Sequence, residues 1–282
     1  MPRHILAAVT PGPHAHRILQ RARHLALQHA ADLTVISVLH GSLGLAMDGA
    51  AKEAAMRATR EALAETLADA GDPPLRIEFG NPAAIITACA EDLGADLIVL
   101  GPNEQKSLSA RIIGSTTDRV LRQATVPVLI VRRPPDGDYC GVLVGLDDSP
   151  AAQAGLRTAA ALCPGHPLQL VAVTDLPMDF EQALLLSGTP KAEITRWRND
   201  LRRQTAAGLQ ERAADWPNTR PRVFVGLPEV VLVRLSRAPG VDLIVLGSRG
   251  RGPIMANILG SVALRVAREA RADVLVVPAG TD

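Results

Sequence analysis

The stretch VDLIVLG at residues 241–247 reveals the organisation of the chain, because a near-copy of it, ADLIVLG, occurs at residues 95–101. The two stretches are offset by 146 positions (241 − 95). The same offset relates VLVV at residues 274–277 to VLIV at residues 128–131. Repeated self-similarity at a fixed spacing indicates a duplicated structural unit. The chain is therefore two copies of one unit joined head to tail.

The copies differ in length. Near the chain start the offset is 137, which pairs ILAAV at residues 5–9 with VLVGL at residues 142–146. The later offset of 146 means a net gain of nine residues in the second copy (146 − 137), which we place between Thr174 and Pro221. We expect a first domain over residues 1–133 and a second over 139–282, with RRPPDGD at 132–138 as the linker.

Each copy has short, continuously apolar runs alternating with longer helical stretches. Such runs are typical of parallel strands covered on both faces. We expect strands near residues 4–9, 33–39, 75–79, 96–100, 127–131, 141–146, 168–174, 221–225, 242–246 and 273–277. We expect helices over 51–70, from a Thr189 cap and Pro190 to about 214, and over 261–270. The pattern predicts an α/β fold of two tandem, doubly wound, five-stranded parallel-sheet domains.

The amino-acid composition indicates which partners and which cellular compartment to expect. Of the 282 residues, 47% are hydrophobic, enough for a buried core, and Lys plus Arg (30) nearly equals Asp plus Glu (29). This balance gives no reason to expect nucleic acid or an anionic membrane as partner. Three cysteines without metal-ligand spacing indicate free thiols in a reducing compartment. With no signal-peptide pattern and no apolar run of about 20 residues, we expect a cytoplasmic protein.

The stretch GSRGRGPIMANILGSV at residues 247–262 has the features of an anion-binding loop. Gly247 and Gly250 let the main chain turn tightly and approach a ligand. Gly260 and Ser261 open a helix, whose first N–H groups and positive dipole end favour phosphate. Arg249 adds a positive charge, as does Arg251. The spacing matches neither the Walker loop nor the dinucleotide fingerprint, which follows a first strand.

The spacing G-x2-G-x9-G-[ST], followed by a helix and a last apolar strand, resembles the ATP-binding universal stress protein family. The resemblance covers nearly the whole chain, twice. It implies an adenine nucleotide alpha hydrolase-like fold that binds ATP, with or without Mg²⁺, between the first and fourth strands. The same resemblance implies that Asp147 contacts the nucleoside and that Val173 lies at the adenine pocket. The phosphate loop would comprise Gly247, Arg249, Gly250, Gly260, Ser261 and Val262.

The first copy departs from this pattern. Thr10 stands where the second copy has Asp147, and Glu104 stands where it has Gly250. Pro102 removes a main-chain donor, while Lys106 offsets part of the Glu104 charge. Gly114 and Ser115 keep the helix-start pair. We therefore expect the second copy to bind ATP and the first to bind it weakly or not at all.

Alternatives remain open from the sequence. Asp147, Asp148 or Ser149 could cap the following helix, and the arginines could be ordinary surface residues. A weak ATPase or nucleotide-dependent transferase would need a base, for which Asp147 or Asp148 is the candidate. A pure interaction module without nucleotide is the other rival.

No catalytic residues and no metal site are predicted. His14 and His16 lack a third ligand. Family members with a single domain resemble dimers paired through their last strands. We therefore expect the two copies to pair as an internal pseudo-dimer, with further homodimerisation left open.

Overall fold

A computed structural model describes residues 1–40, 48–102, 116–176, 178–250 and 259–280. In chain order, the strands are β1 (His4–Ala8), β2 (Asp32–His40), β3 (Leu75–Gly80), β4 (Leu97–Leu100), β5 (Val128–Ile130), β6 (Val142–Gly145), β7 (Leu168–Thr174), β8 (Thr219–Val225), β9 (Leu243–Gly247) and β10 (Asp273–Val277).

Helices alternate with these strands. Within the described residues they are α1 (Ala15–His29), α2 (Gly49–Asp69), α3 (Pro82–Leu93), α4 (Thr116–Gln123), α5 (Pro150–Leu162), α6 (Met178–Leu186), α7 (Lys191–Ala214), α8 (Pro228–Leu235) and α9 (Ser261–Glu269). None of these helices is long and apolar enough to cross a bilayer.

The strands form one ten-stranded sheet in the order β3-β2-β1-β4-β5-β10-β9-β6-β7-β8. The pairs within each copy are parallel, and β5 pairs with β10 antiparallel. The last strand of each copy therefore joins the two halves, as expected for an internal pseudo-dimer. In each half the chain winds one way from the first strand and then returns beside it as the fourth. β1/β4 and β6/β9 are consequently the switch points where α/β sheets bind ligands.

The core lies on both faces of the sheet. Along β6, Val142 and Val144 belong to one buried cluster while Leu143 belongs to the other. Helices α1, α2, α5 and α7 contribute to the first cluster, and α3, α4, α8 and α9 to the second. The inner strands are therefore covered on both sides, which explains why they are predominantly apolar, whereas the edge strands β3 and β8 carry exposed charged residues.

One helix boundary differs from the expectation. Thr189 does not cap α7. The N-cap is Pro190, with an extended main chain (φ −60°, ψ 136°) and no side-chain cap. The Thr189 hydroxyl instead lies 3.1 Å from the Ser187 hydroxyl. The helix begins at Lys191 because Pro190 has not yet turned into the helical region.

Candidate functional site

A cavity of about 300 Å³ opens at the carboxyl ends of β6, β7 and β9, at the second copy's switch point. All eight residues predicted from the sequence line it: Asp147, Val173, Gly247, Arg249, Gly250, Gly260, Ser261 and Val262. They come from three stretches of chain that lie far apart in sequence. The parallel sheet brings these stretches together because its strand ends share one edge.

One end of the cavity is apolar. Val171 and Val173 reach it from β7, Leu232 from α8 and Leu246 from β9. Val173 pairs in register with Phe224 of β8, so its position is fixed by the sheet. An apolar end with a few polar groups at the other side is the usual form of a small-molecule site.

Asp147 forms one wall, immediately after β6. Its Oδ1 accepts a hydrogen bond from the Ser149 main-chain N–H (3.0 Å). Its Oδ2 faces the glycine loop, since a Cβ placed on Gly250 would lie 3.0 Å from that oxygen. The N-cap of α5 is Ser149, whose hydroxyl accepts from Ala152 N–H (3.2 Å). The capping alternative for Asp147 is thereby wrong, and its carboxylate faces the cavity loop.

Ser149 also ties the two walls of the cavity together. Its hydroxyl lies 3.1 Å from the Arg249 main-chain oxygen, across 100 residues of sequence, and 2.5 Å from Asp147 Oδ1. Ser149 as a whole is only 4% exposed. The turn after β6 and the loop after β9 are thus held at a fixed separation by one buried hydroxyl.

Two glycines in the loop after β9 allow neighbouring atoms to approach the main chain more closely than a side chain would permit. Neither Gly247 nor Gly250 has a positive φ. A Cβ on Gly247 would lie 2.6 Å from the Ala151 carbonyl carbon and 2.7 Å from Ala152 N. Gly247 therefore lets the start of α5 pack directly on the end of β9. Gly250 leaves room beside the Asp147 carboxylate. Both glycines are therefore needed for the close approach of neighbouring atoms and not for a left-handed main-chain conformation.

The start of α9 lines the same cavity as Asp147. Gly260 is its N-cap, without a side-chain cap, and its own N–H donates to the Ser248 oxygen (2.8 Å). Ser261, Val262 and Ala263 line the cavity. The first N–H groups of a helix have no partner within the helix, and they carry the positive end of its dipole. Arg249 lines the same cavity, whereas Arg251 lies outside the described residues.

Sequence reasoning missed Arg212, a residue of α7. Its guanidinium reaches the Asp147–Asp148 turn, pairing with Asp148 Oδ1 at 2.6 Å. No signal in the sequence marks it, because the contact spans more than 60 positions and Arg212 is one of several arginines on α7.

The first copy has its own cavity at the β1/β4 switch point, of about 550 Å³. Thr10, Pro102, His14 and His40 line it among aliphatic side chains. Thr10 puts a hydroxyl where the second copy has a carboxylate. Glu104, Lys106, Gly114 and Ser115 lie outside the described residues.

Two of the three cysteines are buried. Cys89 and Cys163 are buried and Cys140 is exposed, all as free thiols. Burial raises the pKa of Cys163 to about 12 and also raises that of Cys89. Both thiols therefore stay protonated at neutral pH, and a protonated thiol is a poor nucleophile.

The universal stress protein family model matches residues 1–132 and again residues 139–278. The chain belongs to the universal stress protein family. A curated relative, universal stress protein Rv2005c of Mycobacterium tuberculosis, is 30% identical over 213 residues, which is 70% of this chain and 66% of the relative. The match thus spans a little under two thirds of that relative's length. Universal stress protein Rv2623 of the same organism is 28% identical over 73% of this chain and 69% of its own.

Solved structures show the same fold. A universal stress protein from Archaeoglobus fulgidus covers 98% of this chain and 96% of its own, with a TM-score of 0.67 and 20% identity. A functionally unknown protein from Pseudomonas aeruginosa covers 99% and 93%, with a TM-score of 0.63 and 17% identity. A universal stress protein in complex with cAMP aligns with 46% of this chain and 96% of its own, at a TM-score of 0.37 and 22% identity.

Proposed function

We propose that the second copy of this universal stress protein binds an adenine nucleotide, with ATP as the ligand. Nucleotide occupancy would alter its conformation or a partner surface in a stress or regulatory response. One observation carries the proposal: an apolar end, a carboxylate and a helix start converge on a single cavity. These three chemistries are those that a base, a ribose and phosphates require.

The proposed placement follows from the walls. The base would lie against Val171 and Val173, where apolar surface is buried on binding. A ribose hydroxyl would donate to the Asp147 carboxylate, which accepts hydrogen bonds only. The phosphates would meet the first N–H groups of α9 and the Arg249 charge.

Mg²⁺ would arrive with the phosphates. Among the described lining residues the single carboxylate is Asp147. Phosphate oxygens and water would therefore supply most of the coordination, which is the usual state of Mg²⁺ bound to nucleotides.

The proposal is tested by equilibrium titration of the dialysed protein with ATP, ADP, AMP and adenosine. We expect micromolar ATP binding at one site per chain. Gly250→Glu would give the second copy the residue of the first and place a carboxylate beside Asp147 Oδ2 and the phosphates. At about 4 Å and an effective dielectric of about 20, each like-charge pair costs roughly 4 kcal/mol before screening. Binding should therefore weaken by far more than tenfold.

The matched control is Gly49→Glu, at the exposed start of α2, where an added Cβ meets nothing within 4 Å. The charge change is identical, and a carboxylate in a first helical turn is favourable. ATP binding should be unchanged. Failure of the wild-type protein to bind adenine nucleotides, or equal binding by Gly250→Glu, would reject the proposed function.

A further inference from the structure

Arg212 joins helix α7 to the turn that carries Asp147. Its Nε donates to the Gly208 main-chain oxygen one helical turn earlier (2.9 Å). Its Nη1 donates to the Asp147 main-chain oxygen (3.1 Å) and to Asp148 Oδ1 (2.6 Å). One planar guanidinium therefore contacts three acceptors, of which two belong to the turn after β6.

The hydrogen bond to Gly208 matters because it restricts the Arg212 side chain to a conformation from which the guanidinium can contact the turn after β6. A long side chain loses rotamer freedom when it binds, and a partner on its own helix reduces what remains to be lost. The Arg212 side chain is 29% exposed, so its contacts are partly shielded from water. The Arg212 side chain can thus hold the turn after β6 in place, which a fully solvated surface arginine could not do.

The turn is then held from two sides. Arg212 fixes the Asp147 carbonyl, and the Ser149 N–H fixes Asp147 Oδ1 at 3.0 Å. Because the carbonyl oxygen and Oδ1 of Asp147 are both held by hydrogen bonds, its Oδ2 is directed at the loop after β9, near Gly250. The direction of the oxygen that faces the cavity is therefore set by a helix outside the loop motif.

We propose that Arg212 is a positioning residue of the second copy's site, which sets the orientation of the Asp147 carboxylate. The ligand-binding part of this inference rests on the proposed function. Lysine cannot replace arginine here, because a single ammonium lacks the planar fork that spans Gly208 and the turn at once.

The variants are Arg212→Leu, which keeps an apolar stem, and Arg212→Lys, which keeps the charge. The matched control is Arg203→Leu on the same helix, because Arg203 is 78% exposed and pairs with Asp200 on α7 itself. We expect Arg212→Leu to weaken binding roughly tenfold, since a hydrogen bond to a charged donor is lost. Arg212→Lys should recover little, and Arg203→Leu should bind as the wild type does.

The ligand series separates positioning from simple charge attraction. If Arg212 acts through Asp147, the fold-loss is the same for adenosine, AMP and ATP. A loss that grows with the number of phosphates would overturn the inference. A double-mutant cycle gives a second test: in an Asp147→Ala background, Arg212→Leu should cause no further loss. An additive loss would also overturn it.

A measurement without ligand keeps the inference distinct from the proposed function. Amide hydrogen exchange at the Ser149 N–H, which donates to Asp147 Oδ1, should accelerate in Arg212→Leu and not in Arg203→Leu. If the wild-type protein binds no adenine nucleotide, the proposed function fails while this comparison still decides the role of Arg212. Unchanged exchange in Arg212→Leu would show that Arg212 does not order the turn.

Discussion

At the scale of single residues, the site depends on how a few polar atoms are shared. The Ser149 hydroxyl carries one hydrogen, yet it lies within bonding distance of both Asp147 Oδ1 and the Arg249 oxygen. It also accepts from Ala152 N–H to cap α5. A single buried hydroxyl therefore links helix capping, the carboxylate and the glycine loop.

Replacing this hydroxyl tests that linkage. Ser149→Ala removes an N-cap, which costs about 0.5–2 kcal/mol. Each kcal/mol lowers the melting temperature of a chain of about this size by roughly 2–4 °C, so the melting temperature should fall by about 1–8 °C. Nucleotide affinity should fall as well, because Asp147 and the loop lose a shared partner. Calorimetric melting and ATP titration measure the two effects.

The control for that variant is Ser187→Ala, at an exposed hydroxyl that donates to the Leu184 oxygen. It should leave both melting and ATP binding unchanged. If Ser149→Ala melts lower but binds ATP as tightly as the wild type, the hydroxyl serves only as a cap.

At the scale of secondary structure, the sequence predicts most elements because their causes are local. Apolar runs place strands such as β7 at its observed bounds, residues 168–174, and β10 at 273–277. The helix α9 begins at Ser261, as the glycine before it indicates. Local propensity and apolar periodicity suffice for these elements.

The remainder of the site depends on contacts that no local pattern contains. Arg212 reaches Asp147 across 65 positions, and Ser149 reaches Arg249 across 100. Any of several arginines on α7 could have faced the turn. The packing of α7 against β7 and β8 selects Arg212, so the fold has to be known first.

Gly208 is an anomaly within α7, because glycine destabilises a helix interior by roughly 0.5–1 kcal/mol relative to alanine. An added Cβ would meet only Arg212 Nη2, at 3.4 Å, and the position has no positive φ. Gly208→Ala should therefore raise stability by about that amount. Thermal or urea unfolding measures it.

Gly94→Ala is the opposite case. Gly94 ends α3 in the left-handed region, with φ 60°. A side chain there is strained by roughly 1–2 kcal/mol, so stability should fall. For Gly208→Ala, a melting temperature below that of the wild type would show that helix α7 has no space for a methyl group at position 208.

At the scale of the whole molecule, Asp273 links three parts of the chain. It begins β10, its Oδ2 accepts from the Tyr139 hydroxyl at 2.6 Å, and its Oδ1 accepts from Arg132 N–H at 2.7 Å. Arg21 of α1 lies 3.8 Å from the same carboxylate and 4.0 Å above the Tyr139 ring. The first copy, the linker and the second copy thus meet at one buried group, beside the β5/β10 pairing.

Burial raises the pKa of Asp273 despite these donors and the nearby Arg21 guanidinium. Desolvation of the carboxylate therefore outweighs its hydrogen bonds. Replacing Asp273 would disturb several contacts at once, so a pH test of the contact between copies is better made at a group with one partner.

His29 is such a group. It ends α1 in the first copy, and its Nε2 donates to the Leu162 oxygen of α5 in the second copy, at 3.1 Å. Burial lowers the pKa of His29 below its ordinary value of 6.5, although the bond to the carbonyl acts in the opposite direction. The folded protein therefore holds this imidazole neutral more strongly than the unfolded chain does.

The sign of the pH dependence follows from this difference. Above pH 6.5, the ordinary value, the ring is neutral in both states and its contribution to stability is complete. As the pH falls below that value, the unfolded chain takes up the proton first, so stability is lost until the lower folded pKa is passed.

His29→Asn removes this titration. Urea unfolding between about pH 7.5 and pH 5 should therefore show a smaller loss of stability on acidification for His29→Asn than for wild type. His16→Asn is the control, because His16 lies on the same helix and pairs with Asp69 at the surface, within the first copy. The reduction in pH dependence should be larger for His29→Asn than for His16→Asn. If His29→Asn and wild type lose stability equally on acidification, His29 does not couple the contact between the copies to pH.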